Sequence, residues 1–201
     1  MPNPLRLILA SQSPRRAELL ARLGLTFEIM PADIDESQRD DETPPAFAER
    51  LAREKAQAIA SRHPTATVIG SDTIVVIDEL VLGKPRDHDD AVDMLMRLSG
   101  REHEVFTGVA VVAEGASHSA VERVQVRFKQ LSRSECEQYV ATGEPMDKAG
   151  AYGIQGFGSA NVASIDGDYF AVMGLPIVRT LDLLAKAGWR YSYGLGMLQA
   201  P

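Results

Sequence analysis

The chain has 201 residues and a formal net charge of -7. That length fits one α/β domain with a sizeable core. The negative charge argues against a nucleic-acid polymer as the main partner, but it allows a small anion held by a local basic cluster. Cys136 is the only cysteine, which excludes an intrachain disulfide and predicts a reducing, cytoplasmic location. No apolar run approaches membrane-spanning length, so we expect no membrane partner.

The chain begins with an apolar run followed by a helix-start signal. Leu5–Ala10 is typical of a buried strand, and 14–23 is predicted to be a helix with Ser13 as its N-cap. Arg15 and Arg16 lie in the first turn, at the end of the helix dipole that disfavours cations. A helix N-terminus with two arginines is suited to bind an anion such as phosphate. The alternative is a capped helix with solvated arginines.

An acidic segment and a second helix follow. Phe27–Met30 is a short strand candidate, and 33–36 places three acids in four residues. Such a loop is usually only solvated, but it could help to hold a divalent cation. Thr43 is predicted to cap a helix that runs to about Arg62. Within that helix Lys55 has, on pattern alone, the setting of an ordinary surface lysine.

The most informative stretch is 67–87. β-branched residues on both sides of Asp72 predict a buried strand. A carboxylate inside such a strand is costly unless a cation or hydrogen bonds meet it. If the chain reverses at a tight turn at 78–79, Lys84 returns toward the level of Asp72, and together they would suit a metal-assisted phosphate reaction. The alternative is that Asp72 caps a turn while Lys84 is solvated.

The second half of the chain alternates helix and hairpin signals. We predict a helix capped by Asp87 and ended by 99–100, a hairpin of strands 105–113 and 120–128, and a helix with a Ser132/Glu135 capping box that ends near residue 143. We also predict a hairpin of strands 162–165 and 169–172, and a helix over 176–187. Helix crossovers mixed with hairpins imply a mixed sheet.

Two further segments stand out. Residues 144–158 contain four glycines, with Tyr152 and Gln155 between them, and this density allows sharp turns or close approach to a ligand. Their spacing does not match the dinucleotide-binding fingerprint, and an ordinary loop is the alternative. The segment after Gly188 has no periodicity, so we expect either disorder or an arm that packs on a partner chain.

Read together, these motifs resemble the Maf family of nucleoside triphosphate pyrophosphatases. The resemblance spans nearly the whole chain and rests on LILASQSPRRAELL, DIDE, LAREKA, GSDTIVV, LGKPRD, YVATGEPMDKAGAYGIQG and GDYFAVMGLPI. It implies a single domain over 1–188 with a tail over 189–201. It also implies an α/β fold with an elongated mixed β-sheet in two lobes around a central cleft, similar to the inosine triphosphate pyrophosphatases.

The resemblance further implies hydrolysis of a nucleoside triphosphate to the monophosphate and pyrophosphate with Mg²⁺ or Mn²⁺. The family's catalytic carboxylate falls on Asp72, either as general base or as metal ligand, and Glu36 is a second metal candidate. The residues carried over for phosphate contact are Ser11, Ser13, Arg15, Arg16, Lys55 and Lys84.

Three positions concern the base. The branch of the family that acts on dTTP and UTP has Arg, Thr and Gln where this chain has Arg15, Thr73 and Gln155. The branch that acts on 7-methyl-GTP typically differs after the catalytic Asp and has Glu near the glutamine position. The amide of Gln155 offers a donor and an acceptor, which match the edge of thymine or uracil.

Two rival functions stay open at this point. The family's association with septum formation makes a nucleotide-binding regulator without turnover the first alternative. A phosphatase of the haloacid dehalogenase type is the second, but Ile74 stands where its second aspartate would be. The arm considered for the segment after Gly188 would make a homodimer, which is the partner we expect besides the nucleotide.

Overall fold

The computed structural model describes residues 6–199 of the chain. The helices in this part are α1 (Pro14–Arg22), α2 (Pro44–Ala60), α3 (His88–Leu98), α4 (Arg133–Ala141), α5 (Tyr169–Met173) and α6 (Ile177–Lys186). The strands are β1 (Leu7–Leu9), β2 (Glu28–Ile29), β3 (Thr67–Ile77), β4 (Leu80–Leu82), β5 (Glu102–Ala113), β6 (Ala116–Phe128), β7 (Val162–Asp166), β8 (Trp189–Ser192) and β9 (Gly196–Gln199). The predicted first strand is confirmed over 7–9, and Leu5 lies outside the described residues. No helix in this part of the chain is long and apolar enough to cross a membrane.

Seven strands form one mixed sheet, as the alternation of crossovers and hairpins predicts. Their order is β2-β1-β3-β5-β6-β7, with β4 paired to β3. Strand β1 runs parallel to β2 and β3, whereas the pairs β3–β4 and β6–β7 are antiparallel. The parallel pairs require helical crossovers, and these are supplied by α1 and α2.

The chain divides into two compact units. Within the described residues, the first comprises 6–72, Thr107–Glu122 and 174–199. Its core packs side chains of α2 against those of β1, β3 and β5, among them Ile8, Ile59 and Val68. The second comprises Thr73–Phe106 and Arg123–Met173. Its core contains Val75, Leu95, Val126, Phe128, Tyr139 and Tyr152.

Several predicted local signals are confirmed. Asp87 caps α3 by accepting a hydrogen bond from the Asp90 amide at 2.9 Å. The box at the start of α4 is complete, because Ser132 and Glu135 each accept from the other's backbone amide. Ser13 and Thr43 occupy the predicted N-cap positions, but neither side chain makes a cap hydrogen bond.

The predicted hairpin after β7 is wrong. Residues 169–173 form the short helix α5 instead of a strand. Asp168 explains the difference: its carboxylate accepts from the Phe170 amide at 2.8 Å, and its carbonyl accepts from the Ala171 amide at 3.1 Å. This turn begins a helix directly after Gly167, so among the strands of residues 6–199 β7 pairs with β6 alone.

Residues 189–199 form an ordered hairpin of β8 and β9 in the first unit. The Trp189 indole donates to the Thr67 hydroxyl at 3.2 Å, and the Tyr191 hydroxyl donates to the Leu23 carbonyl at 3.0 Å. Of the two expectations for this segment, disorder is therefore wrong. The packing of the hairpin is against its own chain, and contact with a partner chain stays a prediction.

Candidate active site

The site of the first unit is built on a buried carboxylate. Asp72 lies in β3 and is 8% exposed, as its place in an apolar strand predicts. Lys55 Nζ lies 2.6 Å from Asp72 Oδ1 and 2.7 Å from Glu36 Oε1. One ammonium therefore holds two carboxylates from distant parts of the chain. The surface setting that the helical pattern gives Lys55 is wrong, since this residue is 8% exposed.

Two glycines let the helix that carries Lys55 lie directly on the sheet. A Cβ at Gly70 would stand 2.2 Å from the Ala52 carbonyl oxygen and 2.7 Å from the Ala56 amide. A Cβ at Gly108 would stand 2.2 Å from the Ala48 carbonyl oxygen. Such separations are shorter than any ordinary contact, so only glycine permits this backbone approach. The approach brings the Lys55 turn of α2 against β3, two residues before Asp72.

Arg50 fixes the acidic loop that carries Glu36. Its guanidinium donates to both carboxylate oxygens of Glu42, at 2.7 and 2.8 Å, to the Ser37 carbonyl at 2.9 Å, and to Glu54 at 3.1 Å. The Arg50 and Glu42 side chains are only 13% and 10% exposed. The pairing with Arg50 lowers the pKa of Glu42, which keeps it ionised at neutral pH. Sequence reasoning missed Arg50, because its partners in the loop cannot be identified from helical spacing.

The predicted phosphate-binding residues near the chain start lie around the N-terminus of α1. Arg16 Nη1 donates to the Ser11 hydroxyl at 3.0 Å, and Ser11 Oγ accepts from the Ser13 amide at 3.2 Å. Arg16 Nε donates to the Gly174 carbonyl at 2.7 Å, and Ser71 Oγ is 2.8 Å from the same oxygen. Arg16 is thereby connected to the strand residue that precedes Asp72.

The charge of Arg16 is balanced by the same carboxylate. Loss of hydration lowers the pKa of the Arg16 guanidinium, and the nearby Asp72 carboxylate acts in the opposite direction. Arg16 remains a cation at neutral pH, as arginines in proteins do. Arg15 is partly exposed, one residue earlier in the same first turn. The first unit therefore contains both carboxylates and all the predicted cations except Lys84.

The donor set suits a hard divalent cation only in part. No group of three or more His, Cys, Asp or Glu side chains within residues 6–199 could enclose a metal by itself. Asp72 and Glu36 are carboxylates, however, and Mg²⁺ is commonly held by one or two carboxylates together with substrate phosphates and water. Lys55 contacts one oxygen of each carboxylate. The residues thus fit a metal that arrives with a phosphate ligand.

The remaining predicted residues belong to the second unit. β3 turns into β4 through Asp78 and Glu79, both with positive φ, as the tight turn predicts. Val75 pairs with Leu82 in the antiparallel register. The same register, extended by two residues, would place Thr73 opposite Lys84. Lys84 is exposed and Thr73 is partly buried.

Gln155 lies in the glycine-rich segment, which is neither helix nor strand but a series of short 3-10 turns. The Gln155 side chain is partly exposed, and its amide makes no hydrogen bond within residues 6–199. Glu144 and Tyr139 bond the backbone on both sides of it. An amide with unused donor and acceptor capacity on an ordered loop can bind a ligand edge.

Comparison with known proteins identifies the family of the chain. The model of the family described as Maf-like protein matches residues 6–187. A protein of Symbiobacterium thermophilum named dTTP/UTP pyrophosphatase is 52% identical over 92% of this chain and 95% of its own length. Proteins of the same name from Vibrio cholerae and Moorella thermoacetica are 52% and 54% identical, over 90% and 91% of this chain and 97% and 95% of their own lengths.

Similarity to solved structures is more distant. A HAM1 protein from Coxiella burnetii gives a TM-score of 0.49 at 18% identity, covering 79% of this chain and 80% of that one. The Staphylococcus aureus Ham1 protein gives 0.48 at 13% identity, covering 78% and 79%. The family model and the close relatives do not depend on these structures. Since they span at least nine-tenths of its length, the chain belongs to the Maf-like protein family.

Proposed function

We propose that this protein hydrolyses dTTP and UTP to the nucleoside monophosphate and pyrophosphate. The relatives with that name are about half identical to it over nine-tenths of its length. The observation that carries the proposal is the buried Asp72 carboxylate, which is held by Lys55 together with Glu36. A buried ion pair is a poor source of stability, so its retention in an apolar strand favours a chemical role.

Cleavage of the α–β phosphoanhydride requires a positioned water and a charge-balanced pyrophosphate leaving group. Asp72 could accept the proton of the attacking water, or it could hold the ion that activates this water. In the first role the carboxylate is the proton acceptor, and Lys55 Nζ, 2.6 Å from Oδ1, holds it in place. Both roles place Asp72 at the reacting atoms.

The charges of the site support a requirement for Mg²⁺ or Mn²⁺. Lys55 is already paired with two carboxylates, and Arg16 lies close to Asp72. These cations are therefore largely balanced before a substrate binds. A triphosphate adds several negative charges, and a divalent cation carried by its phosphates would neutralise them.

The choice of base is assigned to Gln155, with Arg15 and Thr73. Thymine and uracil share an edge of two carbonyls and one N–H, which a single amide can pair with. Cytosine reverses two of these groups, and each buried unpaired group costs roughly 1–3 kcal/mol. We therefore expect dTTP and UTP to be hydrolysed well ahead of CTP. A nucleotide substrate and a lone cysteine favour a cytoplasmic location, and a homodimer stays a prediction.

The test is pyrophosphate release from dTTP with Mg²⁺ or Mn²⁺, for wild type and Asp72→Asn. Asparagine keeps an acceptor for Lys55, and Lys55 keeps Glu36, so we expect the variant to fold. Loss of a positioned acid–base group typically lowers the rate by about 10²–10⁴. Near-wild-type turnover by folded Asp72→Asn would rule out the role of Asp72. Binding of dTTP by wild type without pyrophosphate release would favour the regulator instead.

A further inference from the structure

We propose that Tyr139 and Glu144 are positioning residues that fix the loop around Gln155 and thereby set the choice of base. The inference deepens the proposed function and rests on it for the role of Gln155. Neither residue is expected to contact the substrate. Their part is to hold the backbone from which the Gln155 amide projects.

The contacts lie on both sides of Gln155. Tyr139 Oη accepts a hydrogen bond from the Gly153 amide at 3.1 Å and donates to Glu144 Oε1 at 2.8 Å. Glu144 in turn accepts from the Gly158 amide at 3.0 Å and from the Phe157 amide at 2.9 Å. One tyrosine–glutamate pair thus holds the backbone amide two residues before Gln155 and those two and three residues after it.

The glycines of the loop allow this packing. A Cβ at Gly158 would stand 2.5 Å from Tyr139 Oη and 2.2 Å from the Gly153 carbonyl oxygen. A Cβ at Gly156 would stand 2.5 Å from Glu144 Oε2, and this residue also has a φ of +65°. The loop therefore lies directly on the tyrosine hydroxyl and the carboxylate, with no side chain between them.

The pair is itself well anchored. Tyr139 lies in α4, whose first turn is closed by the complete capping box, and it is 7% exposed. Glu144 follows α4 closely, and its amide donates to the Thr142 hydroxyl at 3.2 Å. Partial burial raises the pKa of Glu144, but the hydrogen bonds from Gly158, Phe157 and Tyr139 bring it below its usual value. Glu144 is therefore an anionic acceptor at neutral pH, and its hydrogen bonds are of the stronger, charge-assisted kind.

A positioning role for Tyr139 and Glu144 can be distinguished from a purely stabilising one. No hydrogen bond holds the Gln155 amide within residues 6–199, so the position from which it can reach a ligand is set by the backbone that carries it. Displacement of a recognition group by about 1 Å can cost about 100-fold in rate. That cost applies to dTTP and UTP, whose base edges match the donor and acceptor of the amide. The rate for CTP, whose base edge does not match, should fall less.

The test compares two buried tyrosine hydroxyls of the second unit. Tyr139→Phe removes the hydroxyl that bonds Gly153 and Glu144. Tyr152→Phe is the matched control, because Tyr152 is a similarly buried residue, 5% exposed against 7% for Tyr139, but its hydroxyl lies 2.8 Å from His103 Nε2. Values of kcat/KM for dTTP and CTP are measured for both variants, for Glu144→Gln, and for Gln155→Ala as the reference for full loss of base recognition.

We expect the dTTP-to-CTP ratio of kcat/KM to fall at least tenfold in Tyr139→Phe and Glu144→Gln, toward the Gln155→Ala value. The ratio should be unchanged in Tyr152→Phe. An unchanged ratio in both Tyr139→Phe and Glu144→Gln would overturn the inference, as would an equal fall in Tyr152→Phe.

Hydrogen exchange separates this result from failure of the proposed function. The amides of Gly153, Phe157 and Gly158 should exchange faster in Tyr139→Phe than in wild type or Tyr152→Phe, whatever the substrate is. Wild type without preference for dTTP would refute the base assignment and, with it, the specificity role. Unchanged exchange at these three amides would refute the positioning role by itself.

Discussion

Replacement of Gly70 by alanine tests whether close packing of α2 on β3 positions the catalytic group. The new Cβ would stand 2.2 Å from the Ala52 carbonyl oxygen and 2.7 Å from the Ala56 amide. Both are backbone atoms of α2 on either side of Lys55, so no side-chain rotation relieves the contact. An ordinary contact needs a separation of about 3.5 Å, so this turn of the helix must move by about 1 Å.

The magnitude follows from that displacement. Overpacking of a core typically costs about 1–3 kcal/mol. In a chain of this size each kcal/mol lowers Tm by about 2–4 °C. The same shift moves Lys55 away from Asp72, and misplacement by about 1 Å can lower turnover about 100-fold. We therefore expect Gly70→Ala to remain folded at 25 °C, with a Tm lower by a few degrees and a turnover lower by about 100-fold.

The assay is dTTP pyrophosphate release together with thermal unfolding, with two controls. Gly83→Ala adds the same methyl group where nothing lies within 4 Å and φ is ordinary, so neither property should change. Gly108→Ala makes an equally short contact, 2.2 Å, but with Ala48, two helical turns before Lys55. Gly108→Ala should lower Tm by a similar amount and lower turnover less than Gly70→Ala does. Folded Gly70→Ala with wild-type turnover would refute the reasoning.

Two further predictions concern buried ionisable side chains. Lys55→Met leaves the Asp72 carboxylate buried without its ammonium, so the free energy of unfolding measured in urea should fall by about 3–5 kcal/mol. Replacement of the exposed Lys186 by methionine should change this free energy little. Equal free energies of unfolding for the two variants would contradict the pairing of Lys55 with Asp72. Burial lowers the pKa of His103 to about 4 from 6.5, so the unfolded chain binds the extra proton between these pH values and stability falls as pH drops through them. The share of His103 in this loss should be about 3 kcal/mol between pH 7 and pH 4, so His103→Gln should lose about that much less stability over the same range. The same slope in both proteins would show that His103 is not its source.

Signals within a few residues were read correctly from the sequence. The capping box at Ser132 and Glu135 involves atoms three residues apart, so the sequence contains all of its parts. β-branched neighbours predict the strand around Asp72, and the tight turn predicted at 78–79 follows it. The wrong hairpin prediction at 169–172 also has a local cause. Asp166 and Gly167 form a pair that is typical of hairpin turns, but Asp168 directly after them starts a helical turn.

The geometry of the site depends on contacts between distant segments. Lys55 is a surface lysine by helical pattern, and only the strand beneath it and the loop of Glu36 make it buried. From the sequence, Gly70 is an ordinary strand residue, and only the packing of α2 against it shows why a glycine is needed there. Family resemblance identified Lys55 as a phosphate-binding candidate, but neither resemblance nor pattern indicated that it pairs with both carboxylates. Arg50 was missed for the same physical reason.

The bond that is cleaved is the most direct test of the proposed activity. Phosphorus NMR of dTTP incubated with the wild-type protein and Mg²⁺ identifies the products, with Asp72→Asn as the control for background hydrolysis. We predict that dTMP and pyrophosphate appear together from the first time point, without dTDP. Early accumulation of dTDP with inorganic phosphate, or unchanged dTTP resonances with folded wild-type protein, would contradict the proposal.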